Sequence, residues 1–152
     1  MNLKFLSLFT GIGGMDMGFD CEVVVHKDSI VHEEFIERQH TVQDFVVLKR
    51  NPFECVFQND ILKGAKEVFG FNNNVSKYNT TSIYDLISEN FSFPYADVVI
   101  GGFPCQDFSH AGKRQGFQSN KAHDLKETVN TEKDNSRGTL YKSFVEVVKR
   151  VK

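Results

Sequence analysis

Residues 97–109 read Asp97-Val98-Val99-Ile100-Gly101-Gly102-Phe103-Pro104-Cys105-Gln106-Asp107-Phe108-Ser109. The short, continuous apolar run at its start predicts a strand that is covered on both faces. Gly101 and Gly102 then allow the backbone to leave the sheet sharply, or a ligand to approach it closely. Pro104 biases the residue before it towards extended geometry, so Cys105 is presented at the end of the strand. Because open α/β sheets bind ligands at the carboxyl ends of parallel strands, this stretch predicts an α/β fold with a site at Cys105.

The composition is that of one ordinary globular domain. The chain has 152 residues, of which 40% are hydrophobic and 25% charged, which is enough for a core of useful size. A formal net charge of −2 argues against a surface that binds nucleic acid everywhere, but it allows a local basic patch. The three cysteines, Cys21, Cys55 and Cys105, lack the number and spacing of a disulfide framework or a zinc site. We therefore expect no metal and a reducing, cytoplasmic setting.

The amino-terminal segment predicts a strand followed by a glycine-rich turn. The apolar run Leu3–Phe9 leads into Thr10-Gly11-Ile12-Gly13-Gly14. A strand, a glycine-rich turn and a helix start are typical of the nucleotide-binding beginning of doubly wound α/β folds. The spacing is not a full G-x-G-x-x-G, so a tight turn without a ligand is also compatible with it.

The middle of the chain predicts further α/β elements. We expect an amphipathic helix over Asp28–His40 with Asp28 as its N-cap, and a second core strand over Phe53–Phe57. A helix is expected after Asp60. Asp60 can cap this helix, and because it stands at the end of the second strand it can also hold ribose hydroxyls. Residues 81–83 are expected to be a short third strand or its end, followed by one or two helical turns up to Ile87.

The carboxyl-terminal part predicts a basic loop and a helix. Residues 110–126 carry Lys113 and Arg114 between glycines, which suits phosphate contacts or simply a solvated loop. A helix is expected from Ser136 onwards. Its apolar stripe comprises Leu140, Phe144, Val147, Val148 and Val151. No further parallel strand follows this helix, so we expect an open sheet edge beside residues 96–101.

Four motifs in order resemble those of the DNA (cytosine-5)-methyltransferases. Phe9–Gly14 is similar to the first motif of that family, which is the S-adenosylmethionine loop, and Asn59–Ile61 is similar to the second. Gly102–Ser109 resembles the fourth motif, the catalytic loop, and Ser136–Tyr141 resembles the fifth. The resemblance implies a Rossmann-like S-adenosylmethionine-dependent methyltransferase fold, truncated after the first four or so parallel strands.

The resemblance also implies a set of site residues. Cys105 would be the nucleophile that adds to C6 of a cytosine taken out of the duplex. Residues 82–83 stand where the family commonly has an acidic residue for the adenine amino group. The residues implied to bind S-adenosyl-L-methionine are Phe9, Gly11, Ile12, Gly13, Gly14, Asp60, Ile61, Ser82, Ile83, Gly102, Pro104 and Leu140. The residues implied to contact DNA are Gln106, Ser109, Lys113 and Arg114.

The match departs from the family in its extent. Residues 25–51 and 119–135 have the appearance of insertions, and the resemblance covers about the first half of a catalytic domain. The family's Glu-Asn-Val and arginine motifs and its target-recognition region find no match. We therefore expect residues 1–152 alone to bind cofactor at best. The implied partners are double-stranded DNA and a C-terminal portion or complementary subunit, with self-association through the open edge, in a bacterial or phage-type cytoplasm and without a membrane.

Three other functions remain open from the sequence. The chain could be one cofactor-binding subunit of a split methyltransferase. It could belong to the related branch that methylates tRNA, which keeps the same Pro-Cys-Gln loop. It could also be a generic dinucleotide-binding domain, in which Cys105 is incidental.

Overall fold

The computed structural model describes residues 2–20, 22–71, 73–103 and 139–151. The strands are β1 (Leu3–Leu8), β2 (Val24–His26), β3 (Ile36–Gln39), β4 (Phe45–Leu48), β5 (Phe53–Asn59), β6 (Tyr78–Asn79) and β7 (Val98–Gly101), and the helices are α1 (Gly14–Asp20), α2 (Lys63–Gly70), α3 (Ile83–Ser88) and α4 (Leu140–Arg150). None of the helices in the described ranges is long and apolar enough to cross a membrane. The predicted basic loop at 110–126 and the predicted insertion at 119–135 lie outside these ranges.

The main sheet is parallel and has the order β6-β5-β1-β7. Strand β1 lies inside it because Phe5, Leu6 and Leu8 are apolar and fully buried, as expected for a strand covered on both faces. From β1 the chain places β5 and β6 on one side and then β7 on the other, so the strand order reverses beside β1. The predicted α/β fold with a parallel sheet is confirmed. Ligands of such sheets bind at the carboxyl ends of the strands where the order reverses.

The register of the main sheet brings three strand ends to the same level. Leu8 pairs with Asn59 of β5 and with Gly101 of β7. The residues that follow these three positions therefore leave the sheet next to each other. Within the described residues β7 pairs only with β1, so the edge predicted to be open lacks a described neighbour.

The core lies on both faces of this sheet. On one face α3 and α4 bury a cluster made of Leu6, Leu8, Phe57, Ile83, Leu86, Phe93, Leu140 and Val147. On the other face Phe5 packs with Ile100 and Cys55, and α1 adds Phe19, whose ring lies 5.2 Å from that of Phe5. The sheet is thus the middle layer between two layers of helices.

A second, antiparallel sheet with the order β2-β4-β3 lies between α1 and β5 in the chain. The helix predicted over Asp28–His40 is wrong, because this segment forms two single 3-10 turns and then β3. The apolar residues of the segment do not form the buried face that an amphipathic helix needs, because Val31 is 89% and Phe35 57% exposed. Ile36 instead pairs with Leu48 of β4. The sheet coincides with the span predicted to be an insertion, and that interpretation stays a prediction.

Two other predictions differ from the structure. The third predicted strand lies at Tyr78–Asn79 rather than at 81–83. Ser82 instead caps α3, because its side chain accepts a hydrogen bond from the Tyr84 N–H. On α4 the predicted apolar stripe is narrower than expected. Val147 is fully buried, whereas Val148 is 45% exposed.

Docking of α4 on the sheet can be tested with these two neighbouring valines. Val147→Ala should lower the free energy of unfolding by about 1.5–3 kcal/mol, because it leaves a cavity in the core. The matched control, Val148→Ala, should change it by no more than about 0.5 kcal/mol. The measurement is urea denaturation of both variants. Equal losses for the two variants would contradict this orientation of the helix.

Candidate cofactor and catalytic site

The loop of residues 9–13 joins β1 to α1 in an unusual backbone conformation. Phe9, Gly11 and Gly13 have positive φ angles of 56°, 55° and 86°. For a residue with a side chain, such as Phe9, this conformation costs roughly 1–2 kcal/mol. Two hydrogen bonds hold the loop, from the Thr10 N–H to the Asn59 carbonyl at 3.1 Å and from the Gly13 N–H to the Thr10 carbonyl at 2.9 Å. The loop is therefore shaped by its own backbone and by the end of β5.

Asp60 connects the end of β5 to this loop. Its Oδ2 accepts a hydrogen bond from the Gly11 N–H at 2.8 Å, and its Oδ1 accepts one from the Leu62 N–H at 2.9 Å, just before α2. A carboxylate offers about four acceptor positions, so Asp60 retains acceptor capacity for hydroxyl groups of a ligand. Contact with the helix start and binding of a ribose are therefore compatible roles.

The buried carboxylate of Asp16, in the first turn of α1, bonds to side chains of the two strands next to the loop. Asp16, which is 2% exposed, accepts hydrogen bonds from Ser7 Oγ at 2.7 Å and from Gln58 Nε2 at 2.6 Å. The Thr10 hydroxyl in turn lies 3.0 Å from the Ser7 hydroxyl and donates to it. Buried charges need such partners because desolvation is costly. The first turn of α1 is thereby fixed to both β1 and β5.

Sequence reasoning missed the turn that follows β6. Asn59 is almost fully buried, and its Nδ2 donates to the carbonyls of Asn79 at 3.1 Å and Thr81 at 2.9 Å. The Asp60 N–H also donates to the Asn79 carbonyl at 3.1 Å. These bonds hold residues 79–81 beside Asp60. An asparagine at the end of a strand was the only signal in the sequence.

The predicted catalytic loop begins beside the loop of residues 9–13, which is called the cofactor loop below because its motif predicts S-adenosylmethionine binding. The ring of Phe103 lies 6.3 Å from that of Phe9, edge to face, and 6.4 Å from that of Phe144 on α4. A Cβ at Gly101 would lie only 2.9 Å from the Phe144 ring and 3.0 Å from the Leu8 carbonyl oxygen, so Phe144 can pack there only because Gly101 has no side chain. The predicted site residues that follow lie outside the described residues. They are Pro104, Cys105, Gln106, Ser109, Lys113 and Arg114.

The structure brings four of the predicted cofactor residues together at the carboxyl edge of the sheet. Gly11 is bonded to Asp60, and Phe9 packs next to Phe103, the neighbour of Gly102. A Cβ at Gly102 would have Met15 Cε as its nearest neighbour, at 3.8 Å. Among the described residues, no other atom comes within 4 Å of this position.

The other predicted cofactor residues have different surroundings. Ile12 is 63% exposed and lines the cleft between α1 and α2 together with Met17. Ile61 is half-buried and follows Asp60 in the chain. Ser82 serves as the cap of α3, while Ile83 and Leu140 are buried in the core cluster beneath the site. These last three residues support the site from below.

The glycines of the loop differ in what they provide. A Cβ at Gly11 or Gly14 would meet no atom of the described residues within 4 Å. A Cβ at Gly13 would instead lie 2.5 Å from the ring of Phe69. Gly13 thus allows Phe69 to pack against the loop from behind. The described residues contain no group of three or more side chains that could hold a metal ion.

This geometry fits S-adenosylmethionine. Among the described residues, the space beside Gly11 and Gly14 is open, and Asp60 offers free acceptor positions for ribose hydroxyls at the end of the next strand. In open α/β sheets these are the positions that hold an adenosine-containing ligand. Ile61, which follows Asp60 directly in the chain, is apolar and half-buried.

Comparison with known proteins agrees with the motifs. The family model described as C-5 cytosine-specific DNA methylase matches residues 3–152. The Type II methyltransferase M.HgiCI of Herpetosiphon aurantiacus is 35% identical over 116 residues, which are 76% of this chain and 20% of that protein. M.BanI of Aneurinibacillus aneurinilyticus is 33% identical over 77% of this chain and 21% of its own length. M.NgoBV of Neisseria gonorrhoeae is 30% identical over 99% of this chain and 26% of its own length.

The chain spans about a fifth to a quarter of the length of these relatives. The family match nevertheless extends over almost all of the chain itself and includes each of the four motifs. The family predicted from those motifs is confirmed. The chain belongs to the family of C-5 cytosine-specific DNA methylases.

Proposed function

We propose that this chain forms the cofactor-binding and nucleophile-bearing part of an enzyme that methylates C5 of cytosine in DNA. The observation that carries the proposal is the hydrogen bond between Asp60 and the Gly11 N–H at the carboxyl edge of the sheet. It joins the two motifs that are expected to hold S-adenosylmethionine. The proposed reaction, methylation of C5 of cytosine in DNA, is taken from the family to which the chain belongs.

S-adenosylmethionine would supply a methyl group that is electrophilic because it is bonded to a positively charged sulfur. The open backbone of the glycine loop would receive the methionine end of the cofactor, and Asp60 would accept its ribose hydroxyls. Ile61 would pack on the adenine, and Ile12 and Gly102 would border the site. Phe9, Gly13, Gly14, Ser82, Ile83 and Leu140 would shape it.

Cys105 would provide the covalent step. Its thiolate would add to C6 of the flipped cytosine and shift the electrons of the C5–C6 double bond towards C5. C5 would then bond to the methyl carbon while the bond from that carbon to sulfur breaks, so that S-adenosylhomocysteine leaves. Removal of the proton from C5 then expels the thiolate and restores the double bond. Phe103, packed between Phe9 and Phe144, starts the Cys105 loop beside the cofactor loop, and Pro104 would shape it.

The partners follow from the family and the sheet. Gln106 and Ser109 would contact DNA beside the nucleophile, and Lys113 and Arg114 would contact its phosphates. The description of the family model favours DNA over tRNA as substrate. The relatives' Type II names favour a restriction-modification setting, and a cytoplasmic location stays a prediction. A C-terminal portion or complementary subunit would cover β7, which pairs only with β1 among the described residues.

Binding of S-adenosylhomocysteine, the reaction product, tests the cofactor site. Asp60→Ala should weaken binding by about 10- to 100-fold, because it removes charged hydrogen-bond acceptors from the ribose. The matched control is Asp85→Ala, which removes an exposed carboxylate from the first turn of α3 and should leave binding unchanged. The measurement is isothermal titration calorimetry, with circular dichroism to verify the fold of each variant.

A second ligand in the same experiment separates the alternatives. NAD should bind far more weakly than S-adenosylhomocysteine. Comparable binding of NAD, or no effect of Asp60→Ala, would favour a generic dinucleotide-binding domain over the proposed function.

Catalysis by residues 1–152 alone is expected to be absent. The adduct at C6 requires a hydrogen-bond donor or acid at N3 of the base, which the family supplies from its Glu-Asn-Val motif. Transfer of labelled methyl groups to cytosine-containing duplex DNA should therefore not exceed one turnover, while full-length M.NgoBV serves as positive control. Multiple turnovers by residues 1–152 would contradict the assignment of the acid to another portion.

A further inference from the structure

In the loop of residues 9–13, both backbone polar groups of Gly11 are bonded to side chains from other parts of the chain. Its N–H donates to Asp60, and its carbonyl accepts a hydrogen bond at 2.7 Å from the hydroxyl of Tyr78, a residue of β6. Gly11 has a positive φ of 55°, a conformation that a free glycine leaves readily. The two bonds together fix the peptide orientation that presents the loop to a ligand.

Tyr78 is itself firmly placed. It is 3% exposed and pairs in the sheet with Gln58. Its ring lies 5.4 Å from that of Phe69 on α2, and Lys66 Nζ donates to its carbonyl at 2.8 Å. The hydroxyl therefore has little freedom to point elsewhere.

The partner ring of Tyr78 supports the same loop. Phe69 occupies the space beside Gly13, where a Cβ would come within 2.5 Å of the ring. Tyr78 thus acts on the loop twice, through its hydroxyl on Gly11 and through Phe69 on Gly13. Both contacts come from behind the loop.

The hydroxyl stays protonated at ordinary pH. Burial and, to a smaller extent, the negative charges of Asp60 and Asp16 raise the pKa of Tyr78 well above its usual value. The phenol is therefore a permanent donor to the Gly11 carbonyl. A phenylalanine would fill the same space and lack only this bond.

We propose that Tyr78 is a positioning residue of the cofactor loop, which holds the Gly11 peptide in the orientation that binds S-adenosylmethionine. Tyr78 lies in none of the four motifs. The segment 71–81 around it is polar and rich in asparagine, which by itself predicts only a surface connection. The inference rests on the proposed function for the identity of the ligand. The hydrogen bond from the Tyr78 hydroxyl to the Gly11 carbonyl does not depend on which ligand binds.

The test compares Tyr78→Phe with Tyr95→Phe. Tyr95 is 54% exposed, and its hydroxyl donates to Asp97 at 2.6 Å, in the segment before β7, so its variant removes a phenol hydrogen bond elsewhere. Amide hydrogen exchange of the cofactor-free chain should become about five- to tenfold faster at Gly11 in Tyr78→Phe. It should change less at Gly13, because Phe69 still packs there. Exchange in the interior of β1 should stay the same. Tyr95→Phe should change none of these amides.

The second readout is the affinity for S-adenosylhomocysteine. Tyr78→Phe should weaken it by about five- to tenfold, and Tyr95→Phe should leave it unchanged. A purely structural role predicts instead a lower melting temperature, faster exchange throughout β1 and β5, and unchanged affinity of the folded protein. That result, or unchanged exchange at Gly11, would overturn the proposal.

A further variant distinguishes the contact of Phe69 with Gly13 from that of Tyr78 with Gly11. The two readouts also distinguish failure of the proposed cofactor from failure of the proposed role of Tyr78. Phe69→Leu should speed exchange at Gly13 more than at Gly11, and equal effects at both would contradict the separate roles. If the unmodified chain fails to bind S-adenosylhomocysteine, the proposed cofactor is wrong. The exchange rates at Gly11 and Gly13 then still decide whether Tyr78 holds the loop.

Discussion

The candidate site depends on the register of three parallel strands, β1, β5 and β7, whose carboxyl ends lie side by side. Leu8 is paired with Asn59 on one side and with Gly101 on the other, so the loop after β1, the acid after β5 and the segment after β7 all start from one edge. Parallel strands need crossover connections, which is why residues distant in the chain meet here. The hydrogen bond from Gly11 to Asp60 spans 49 positions of sequence. A shift of one residue in any of the three strands would turn its side chains to the opposite face and separate these groups.

The cofactor loop depends on polar groups that it does not itself contain. The hydroxyl of Tyr78 binds the Gly11 carbonyl. The carboxylate of Asp16 joins α1 to β1 and β5, and the amide of Asn59 holds the turn after β6. Each of these side chains is nearly fully buried and therefore requires its hydrogen bonds. Among the described residues, the same bonds leave the space beside Gly11 and Gly14 open. A site that is shaped before its ligand arrives loses less conformational entropy on binding.

Much of this arrangement could be predicted from the sequence, and the failures have physical reasons. The apolar runs of β1, β5 and β7, the glycine loop and Asp60 follow local patterns, and four motifs in order identified the family. The predicted helix over Asp28–His40 is wrong because the apolar residues that define its periodicity, such as Val31 and Phe35, are exposed, while Ile36 pairs in a sheet whose partner strand lies further along the chain. Tyr78 and Phe69 could not be found from the sequence, because their roles arise from contacts with Gly11 and Gly13, which are distant in the chain. The roles of Cys105 and of the DNA-contacting residues stay predictions.

The carboxyl edge of β1, β5 and β7 is the place where S-adenosylmethionine is proposed to bind. The most direct measurement is a titration of the isotopically labelled chain with this cofactor, followed by amide chemical shifts in nuclear magnetic resonance spectra. We expect saturable shifts that are largest at Gly11, Asp60 and Gly102. Shifts confined to the cleft between α1 and α2, at Met17, Gln58 and Val68, or no saturable shifts at all, would contradict this assignment.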